Sequence, residues 1–186
     1  MKKNIIITGG LGYIGTELCK IYSGISWNNK ITVIDNRFIS ERVNQLRNWN
    51  INFVQGDILD KELINKHCRE ADIIHHLAGI TDVPRVKSES NETNDKKIKL
   101  VAEEGTQNIL NAMSNKCKII LPSTHVVYEG IKEVKNDILE NEQTKPILSY
   151  AASKAINEEQ LKKSGKNYII LRLGSVYGYS SDTARI

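Results

Sequence analysis

Tyr150 and Lys154 form a Y-x-x-x-K pair. On a helix, spacing of four puts both side chains on one face, within reach of each other or of one ligand. A free tyrosine has a pKa of about 10 and is a poor base at neutral pH. An ammonium nearby favours the phenolate and lowers that value, so the pair can exchange a proton with a hydroxyl or carbonyl. The bland alternative is an exposed helix face. A second pair, Tyr128 and Lys132, sits beside Gly130 in a stretch without helical period, where spacing of four has no such meaning. Upstream, the apolar run Ile119–Leu121 ends in Pro122, Ser123 and Thr124. A hydroxyl at a strand's carboxyl end faces the cleft of an open α/β sheet, where Thr124 can hold the oxygen on which a tyrosine acts. The alternative there is a helix cap.

The densest signal lies between Ile5 and Asp35. Ile5-Ile6-Ile7-Thr8 runs into Gly9, Gly10, Gly12 and Gly15, and a second apolar run, Ile31 to Ile34, ends in Asp35. Glycines allow a tight turn, a close backbone approach to a pyrophosphate, and close packing of helix on strand. The pyrophosphate then meets the unpaired N–H groups of a helix N-terminus, and the carboxylate about 20 residues on accepts from an adenosine ribose. Gly10, Gly12 and Gly15 give G-x-G-x-x-G, and Thr8, Gly9, Gly12 and Gly15 give T-G-x-x-G-x-x-G. A plain strand–helix turn is the competing reading of the glycines alone.

These residues need a frame that brings strand ends together. Short apolar runs alternate with helix-length stretches. The pattern predicts strands at Asn4–Thr8, Lys30–Asp35, Asn52–Gln55, Asp72–Leu77, Lys118–Pro122 and Tyr168–Leu173. It predicts helices at Gly12–Tyr22, Ser40–Asn48, Lys61–His67, Lys96–Ser114 and Tyr150–Ser164. That alternation implies an α/β fold, a doubly wound parallel sheet of Rossmann type. Ser123 to Leu148 has no clear period and is too long for an ordinary connection, which marks it as functional.

Composition narrows the classes. The 186 residues amount to one domain, and the net charge of +4 is spread over mixed helical stretches with no basic, aromatic-laced block, so nucleic acid is not indicated. The three cysteines, Cys19, Cys68 and Cys117, lack paired spacing, and His75 and His76 point to opposite faces of a strand, so no metal site is expected. Met1-Lys2-Lys3 precedes an apolar run too short for a signal peptide or a membrane span. The expectation is a soluble cytoplasmic protein that does not engage the membrane.

Along its whole length the chain resembles the extended short-chain dehydrogenase/reductases, the group of nucleotide-sugar epimerases and dehydratases. Thr8–Gly15 resembles the family's glycine motif, Asp35-Asn36 its acid-Asn pair, Gly56-Asp57-Ile58 its G-D-(I/V/L), and His76–Gly79 its H-x-A-(A/G). Gly105–Leu110 resembles G-T-x-N-(L/I)-L, Ser123–Tyr128 resembles S-(S/T)-x-x-V-Y, Tyr150–Lys154 resembles Y-x-x-S-K, and Leu171–Gly178 resembles L-R-x-x-x-V-Y-G. The resemblance implies Thr124, Tyr150 and Lys154 as catalytic residues, with Lys154 also binding the nicotinamide ribose and lowering the tyrosine pKa. It implies a cofactor held by Gly9, Gly12, Tyr13, Ile14, Gly15, Asp35, Asn36, Asp57 and Ile58. Leu77, Ala78, Gly79 and Thr81 would line its middle, and Ser175 and Val176 would lie near the nicotinamide. Asp35 favours NAD over NADP, because a 2′-phosphate would meet its charge, while Arg37 nearby works against that preference.

The implied activity is an NAD-dependent nucleotide-sugar epimerase or related oxidoreductase. The alternatives are an NAD(P)H-dependent keto-sugar reductase and a non-catalytic NAD-binding protein. A homodimer through the Lys96–Ser114 and Tyr150–Ser164 helices is implied as well. So is a division into a dinucleotide-binding domain with the catalytic residues at 1–178 and the start of a truncated substrate-binding region at 179–186. Ala102, Glu129, Ser175 and Tyr179 depart from the family's usual Asn, Gly, Asn and Pro. His125 and Val126 stand where its dehydratases carry Asp and Glu, which speaks against a dehydratase.

Overall fold

The structure, a computed structural model, describes residues 2–25, 28–81, 91–133 and 137–178. Tyr179 and the region expected to begin the substrate-binding part lie outside the described residues. Six strands form one parallel sheet: β1 (Asn4–Thr8), β2 (Lys30–Asp35), β3 (Asn52–Gln55), β4 (Ile73–His76), β5 (Lys118–Thr124) and β6 (Asn167–Leu173). Their order is β3-β2-β1-β4-β5-β6. The order reverses between β1 and β4, so a crevice opens there at the carboxyl ends. The connecting helices are α1 (Tyr13–Ile25), α2 (Ser40–Asn48), α3 (Lys61–Cys68), α4 (Glu92–Leu100), α5 (Thr106–Ala112) and α6 (Ser149–Lys163).

Strand β1 shows why the run Ile5–Ile7 reads as continuous apolar sequence. Its alternate side chains enter two different cores. Ile6 joins Ile34, Ile74, Ile119 and Leu121 beneath α3, α5 and α6. Ile5 and Ile7 join Val33, Cys19 and Leu46 beneath α1 and α2. Burial of each such side chain contributes about 2 kcal/mol. The layer under α1 and α2 stops short of β5 and β6. On edge strand β6, Ile170 packs into the α6-side core, whereas Ile169 and Leu171 on the opposite face remain 39% and 44% exposed.

Element types match the sequence pattern; several ends shift by one to four residues, and two of the shifts bear on the site. Strand β5 continues past Pro122 to Thr124, because β6 pairs with it from Lys118↔Asn167 to Thr124↔Leu173. The missing N–H of Pro122 is tolerated beyond the end of the β4 ladder at Ile120. The helix expected at Lys96–Ser114 begins at Glu92, where Asn91 caps it by accepting from the Thr93 N–H at 2.9 Å, and it ends at Ala112. A π-helical turn at Val101–Gly105 interrupts it. Gly105 sits in that turn because a Cβ there would lie 2.3 Å from Ile58 Cδ1. The stretch after Thr124 is not wholly irregular: a 3-10 turn spans His125–Tyr128, and its end is zipped to the approach to α6 by backbone bonds of 2.8 Å between Gly130 and Lys145 and between Lys145 and Val127.

Candidate active site

One cleft of about 870 Å³ opens at the carboxyl ends of the strands. Gly9, Gly12, Tyr13, Ile14, Gly15, Asp35, Asn36, Asp57, Ile58, Leu77, Ala78, Gly79, Thr81 and Val176 line it, together with Thr124, Tyr150 and Lys154. Ser175 is exposed on the segment after β6 and lies outside that lining. Tyr128 and Lys132 are outside it too. The Tyr128 hydroxyl donates to the Leu139 carbonyl at 3.1 Å and accepts from Arg172, so no Tyr128–Lys132 pair forms.

The glycine turn is built from backbone. Gly9 has φ of 69°, and a Cβ on it would lie 2.6 Å from the Ala78 nitrogen. A Cβ on Gly15 would lie 2.6 Å from Gly10 Cα. The first backbone bond of α1 runs from Thr16 N–H to the Gly12 carbonyl at 2.9 Å. The N–H groups of Tyr13, Ile14 and Gly15 precede it, the unsatisfied donors of a helix start, and they border the cleft. This cradle suits a dinucleotide pyrophosphate. Asp35 is buried and already engaged: Oδ2 accepts from Leu11 N–H at 3.0 Å, and Oδ1 accepts from the backbone and Nε of Arg37 at 3.0 and 3.3 Å. A carboxylate has about four acceptor positions, so roughly one is left for a ribose. Asn36 donates to Asp57 at 2.9 Å, and the Asn108 amide holds the Ile58 carbonyl at 3.0 Å, fixing the far wall.

The other side of the cleft is built from side chains. Lys154 is only 7% exposed, and burial lowers its ammonium to about 8, still charged at neutral pH. Among the described residues it has no carboxylate partner and no hydrogen-bond acceptor. Its Nζ lies 6.0 Å from the Tyr150 ring centroid and 3.8 Å from where a Cβ on Gly79 would stand. A buried, unpartnered cation is costly unless a ligand oxygen meets it. Thr124 Oγ1 accepts from Val126 N–H at 3.3 Å. Its own hydrogen has no acceptor among the described residues. Ser123 differs: its hydroxyl donates to Glu158 at 2.6 Å and is committed there.

The Tyr150 phenol is raised above its ordinary value by burial, not lowered. Desolvation is the cause of that shift; Lys154 Nζ, 6.0 Å from the ring centroid, makes no hydrogen bond to the phenol. The expected lowering is absent from this arrangement.

Spacing along α6 identifies residues the sequence pattern did not single out. Tyr150, Lys154, Asn157 and Glu158 stand at i, i+4, i+7 and i+8, one helical face, and a sequence signal was therefore present. Glu158, 1% exposed, takes two bonds from Arg172 at 2.9 and 2.6 Å and one from Ser123. These donors hold its carboxyl below the usual range despite burial. Asn157 donates to Thr106 Oγ1 and to the carbonyl of Ala102, each at 2.8 Å. Thr106 meets His76 Nε2 at 2.9 Å, and His76 Nδ1 meets Thr8 Oγ1 at 2.9 Å. The chain of contacts runs from α6 to the strand that carries the glycine turn. Burial, then the Lys154 charge, lowers His76 to about 3, so it is neutral. Arg37, weighed above against the preference for NAD, lines the cleft, as do Asn94, Lys97 and Leu100, which carried no recognised pattern.

A family model, the NAD dependent epimerase/dehydratase family, matches residues 5–186, and the chain belongs to that family. NAD is the cofactor the family implies, and the glycine cradle and free helix donors fit it. A UDP-N-acetyl-alpha-D-glucosaminuronate decarboxylase of Bacillus cytotoxicus is 32% identical over 96% of this chain and 56% of its own length. A dTDP-D-glucose 4,6-dehydratase of Dictyostelium discoideum is 31% identical over 95% of this chain and 44% of its own. The solved structure of a UDP-glucose 4-epimerase from Brucella ovis in complex with NAD superposes with a TM-score of 0.72 at 27% identity, covering 91% of this chain and 51% of that one. The chain thus spans about half the length of the relatives it matches. Among the described residues no helix is long and apolar enough to cross a membrane, and no cluster of His, Cys, Asp and Glu is placed to hold a metal ion.

Proposed function

We propose that this chain is the NAD-binding and catalytic part of a nucleotide-sugar epimerase or a closely related oxidoreductase. The observation that carries the reading is Lys154: a buried ammonium without a hydrogen-bond or ion-pair partner among the described residues, beside Tyr150 and Gly79, in the cleft that the glycine turn borders. Bound NAD supplies the acceptor and donor of hydride. Tyr13, Ile14 and Gly15 hold its pyrophosphate by backbone N–H, Asp35 and Asn36 its adenosine ribose, and Asp57 and Ile58 its adenine. Leu77, Ala78, Gly79 and Thr81 line its centre, with Ser175 and Val176 toward the nicotinamide. Lys154 donates to the nicotinamide ribose. Tyr150 takes the proton of a sugar hydroxyl and returns it, and the unused Thr124 hydrogen donates to the same sugar oxygen. The Lys154 ammonium, 6.0 Å from the Tyr150 ring centroid, would favour the phenolate against the burial that raises it.

Residues 1–178 are the dinucleotide-binding domain in this reading, and 179–186 begin the substrate-binding region. Val126, where an acid would be needed for water elimination, favours epimerase or oxidoreductase chemistry over dehydration. The substrate class is a nucleoside-diphosphate sugar, in keeping with the UDP- and dTDP-sugar enzymes among the relatives. We place the protein in the cytoplasm, since Cys19, Cys68 and Cys117 are all free and buried. It forms a homodimer through α4–α5 and α6, covering the partly exposed Ala152 and Ile156. Sedimentation showing monomer alone over a wide concentration range would overturn the dimer. The function is tested by NAD binding and by turnover on a panel of UDP- and dTDP-sugars. Wild-type turnover that Tyr150→Phe abolishes is the expected result; absence of NAD binding, or full activity in Tyr150→Phe, sinks the reading.

A further inference from the structure

Glu129 stands where the family pattern usually has glycine, and the structure gives this side chain a task. It follows directly on the 3-10 turn His125–Tyr128 that Thr124 caps, and its backbone N–H closes that turn on the Val126 carbonyl at 3.0 Å. Its carboxylate Oε1 accepts two successive backbone N–H groups, Ile147 at 2.5 Å and Leu148 at 2.6 Å. Leu148 is the N-cap position of α6, and no side chain of its own caps the helix. Tyr150 is the second residue of that helix. The approach to α6 is therefore held by a carboxylate from the far end of its own connection, and that charge lies at a helix N-terminus, where the macrodipole favours it. A second carboxylate, Asp95 of α4, takes the Ser149 hydroxyl. Gly130 makes the close approach possible, since a Cβ there would lie 2.5 Å from the Lys145 carbonyl oxygen.

From Thr124 to Tyr150 the structure thus contains one short polar path: the Thr124-capped turn, Glu129, the Ile147 and Leu148 amides, and Tyr150. We infer that Glu129 is a positioning residue that sets Tyr150 relative to Thr124, a role that rests on the catalytic reading of those two hydroxyls. The carboxylate fixes the two residues that lead into α6, Ile147 and Leu148. It converts a long connection into a fixed link between the two groups that must meet one sugar oxygen. The glycine turn and Asp35 lie away from this link, and Lys154 stands a full turn further along α6, so the link acts on the Tyr150 hydroxyl more than on NAD binding.

The test compares Glu129→Ala with Glu129→Gln in the full chain. Glutamine keeps an oxygen that can accept both N–H groups; alanine does not. Hydrogen exchange of the Ile147 and Leu148 amides should quicken about tenfold in Glu129→Ala and stay near wild type in Glu129→Gln. With the nucleotide sugar that the wild type turns over, kcat should fall about tenfold in Glu129→Ala, with KM and NAD affinity within about threefold, and Glu129→Gln should recover most of it. If Glu129→Ala does not fold, Glu129→Asp, one methylene short of the two amides, takes its place. Unchanged exchange overturns the inference, whatever the activity does. So does unchanged kcat in Glu129→Ala when Tyr150→Phe is dead. A wild type with no turnover on any nucleotide sugar instead defeats the catalytic reading, and the exchange comparison still decides whether Glu129 holds the approach to α6.

Discussion

The two walls of the cleft are made of different materials. The wall at β1, α1 and β2 is backbone: glycines whose Cβ atoms would strike neighbouring main chain, and helix N–H groups left open. The wall at β5 and α6 is side chains, Thr124, Tyr150 and Lys154, backed by a lattice of Ser123, Glu158, Arg172 and Asn157 that reaches Thr106 of α5 and His76 of β4. The strands differ likewise. β1 is buried on both faces, while β6 at the edge leaves Ile169 and Leu171 partly open. A pyrophosphate is common to every dinucleotide, so a rigid main-chain cradle suffices for it. Proton transfer needs hydroxyls and an ammonium placed against one another, which only packed and hydrogen-bonded side chains provide.

If the walls divide the work in this way, Tyr150→Phe should lower kcat by about 10³-fold, the range of a lost acid/base group. Its NAD affinity should stay within about twofold, as titration calorimetry can show. A large loss of NAD binding would erase the division. On the backbone wall, Gly9→Ala should cost about 3 kcal/mol of stability. It combines a left-handed φ with a 2.6 Å approach to Ala78, and denaturant unfolding measures it. The neighbouring Gly12→Ala meets nothing nearer than the Gly9 carbonyl at 3.1 Å and should fold, with weakened NAD binding.

On the side-chain wall, Arg172→Leu strips Glu158 of two bonds and leaves a buried carboxylate, costing roughly 3 kcal/mol. Adding Glu158→Leu should recover much of that, which a double-mutant cycle reads directly. His76 sharpens the contrast through pH. Its folded pKa of about 3 lies below the ordinary 6.5, so the unfolded chain binds a proton that the folded chain refuses. Its contribution is complete above 6.5, is lost as pH falls through that window, and levels off below about 3. His76→Gln should flatten the acid limb of stability by about 1–3 kcal/mol, measured by unfolding at several pH values. The smallest effect belongs to Lys162→Ala, which removes an exposed partner of Glu158 and Glu159 and should change stability by less than about 0.5 kcal/mol.

The glycine string shows how much local sequence can carry. Turn, helix start and following acid lie within one βαβ unit, so spacing alone located Gly9–Gly15 and Asp35. Strand and helix types were equally legible, because the apolar runs must fill two cores at once. Thr124, Tyr150 and Lys154 line the one cleft with the glycine turn, as expected from a strand end and a helix face. What the pattern missed lies at contacts between distant elements: the Glu158–Arg172 pair, the His76 chain, Glu129 beneath α6 and the π turn fitted around Ile58.

The sequence by itself determined the order of strands and helices along the chain, the glycine turn at the end of β1 and the face of α6 that enters the cleft. These follow from periodicities and from the few backbone conformations that glycine opens. Only the tertiary structure decided which hydroxyl is committed and which is free, that Asp35 is already engaged by Arg37, and that burial raises Tyr150 while lowering Lys154. Those outcomes depend on desolvation and on partners that meet through the fold, and neither is encoded in the spacing of residues along a chain.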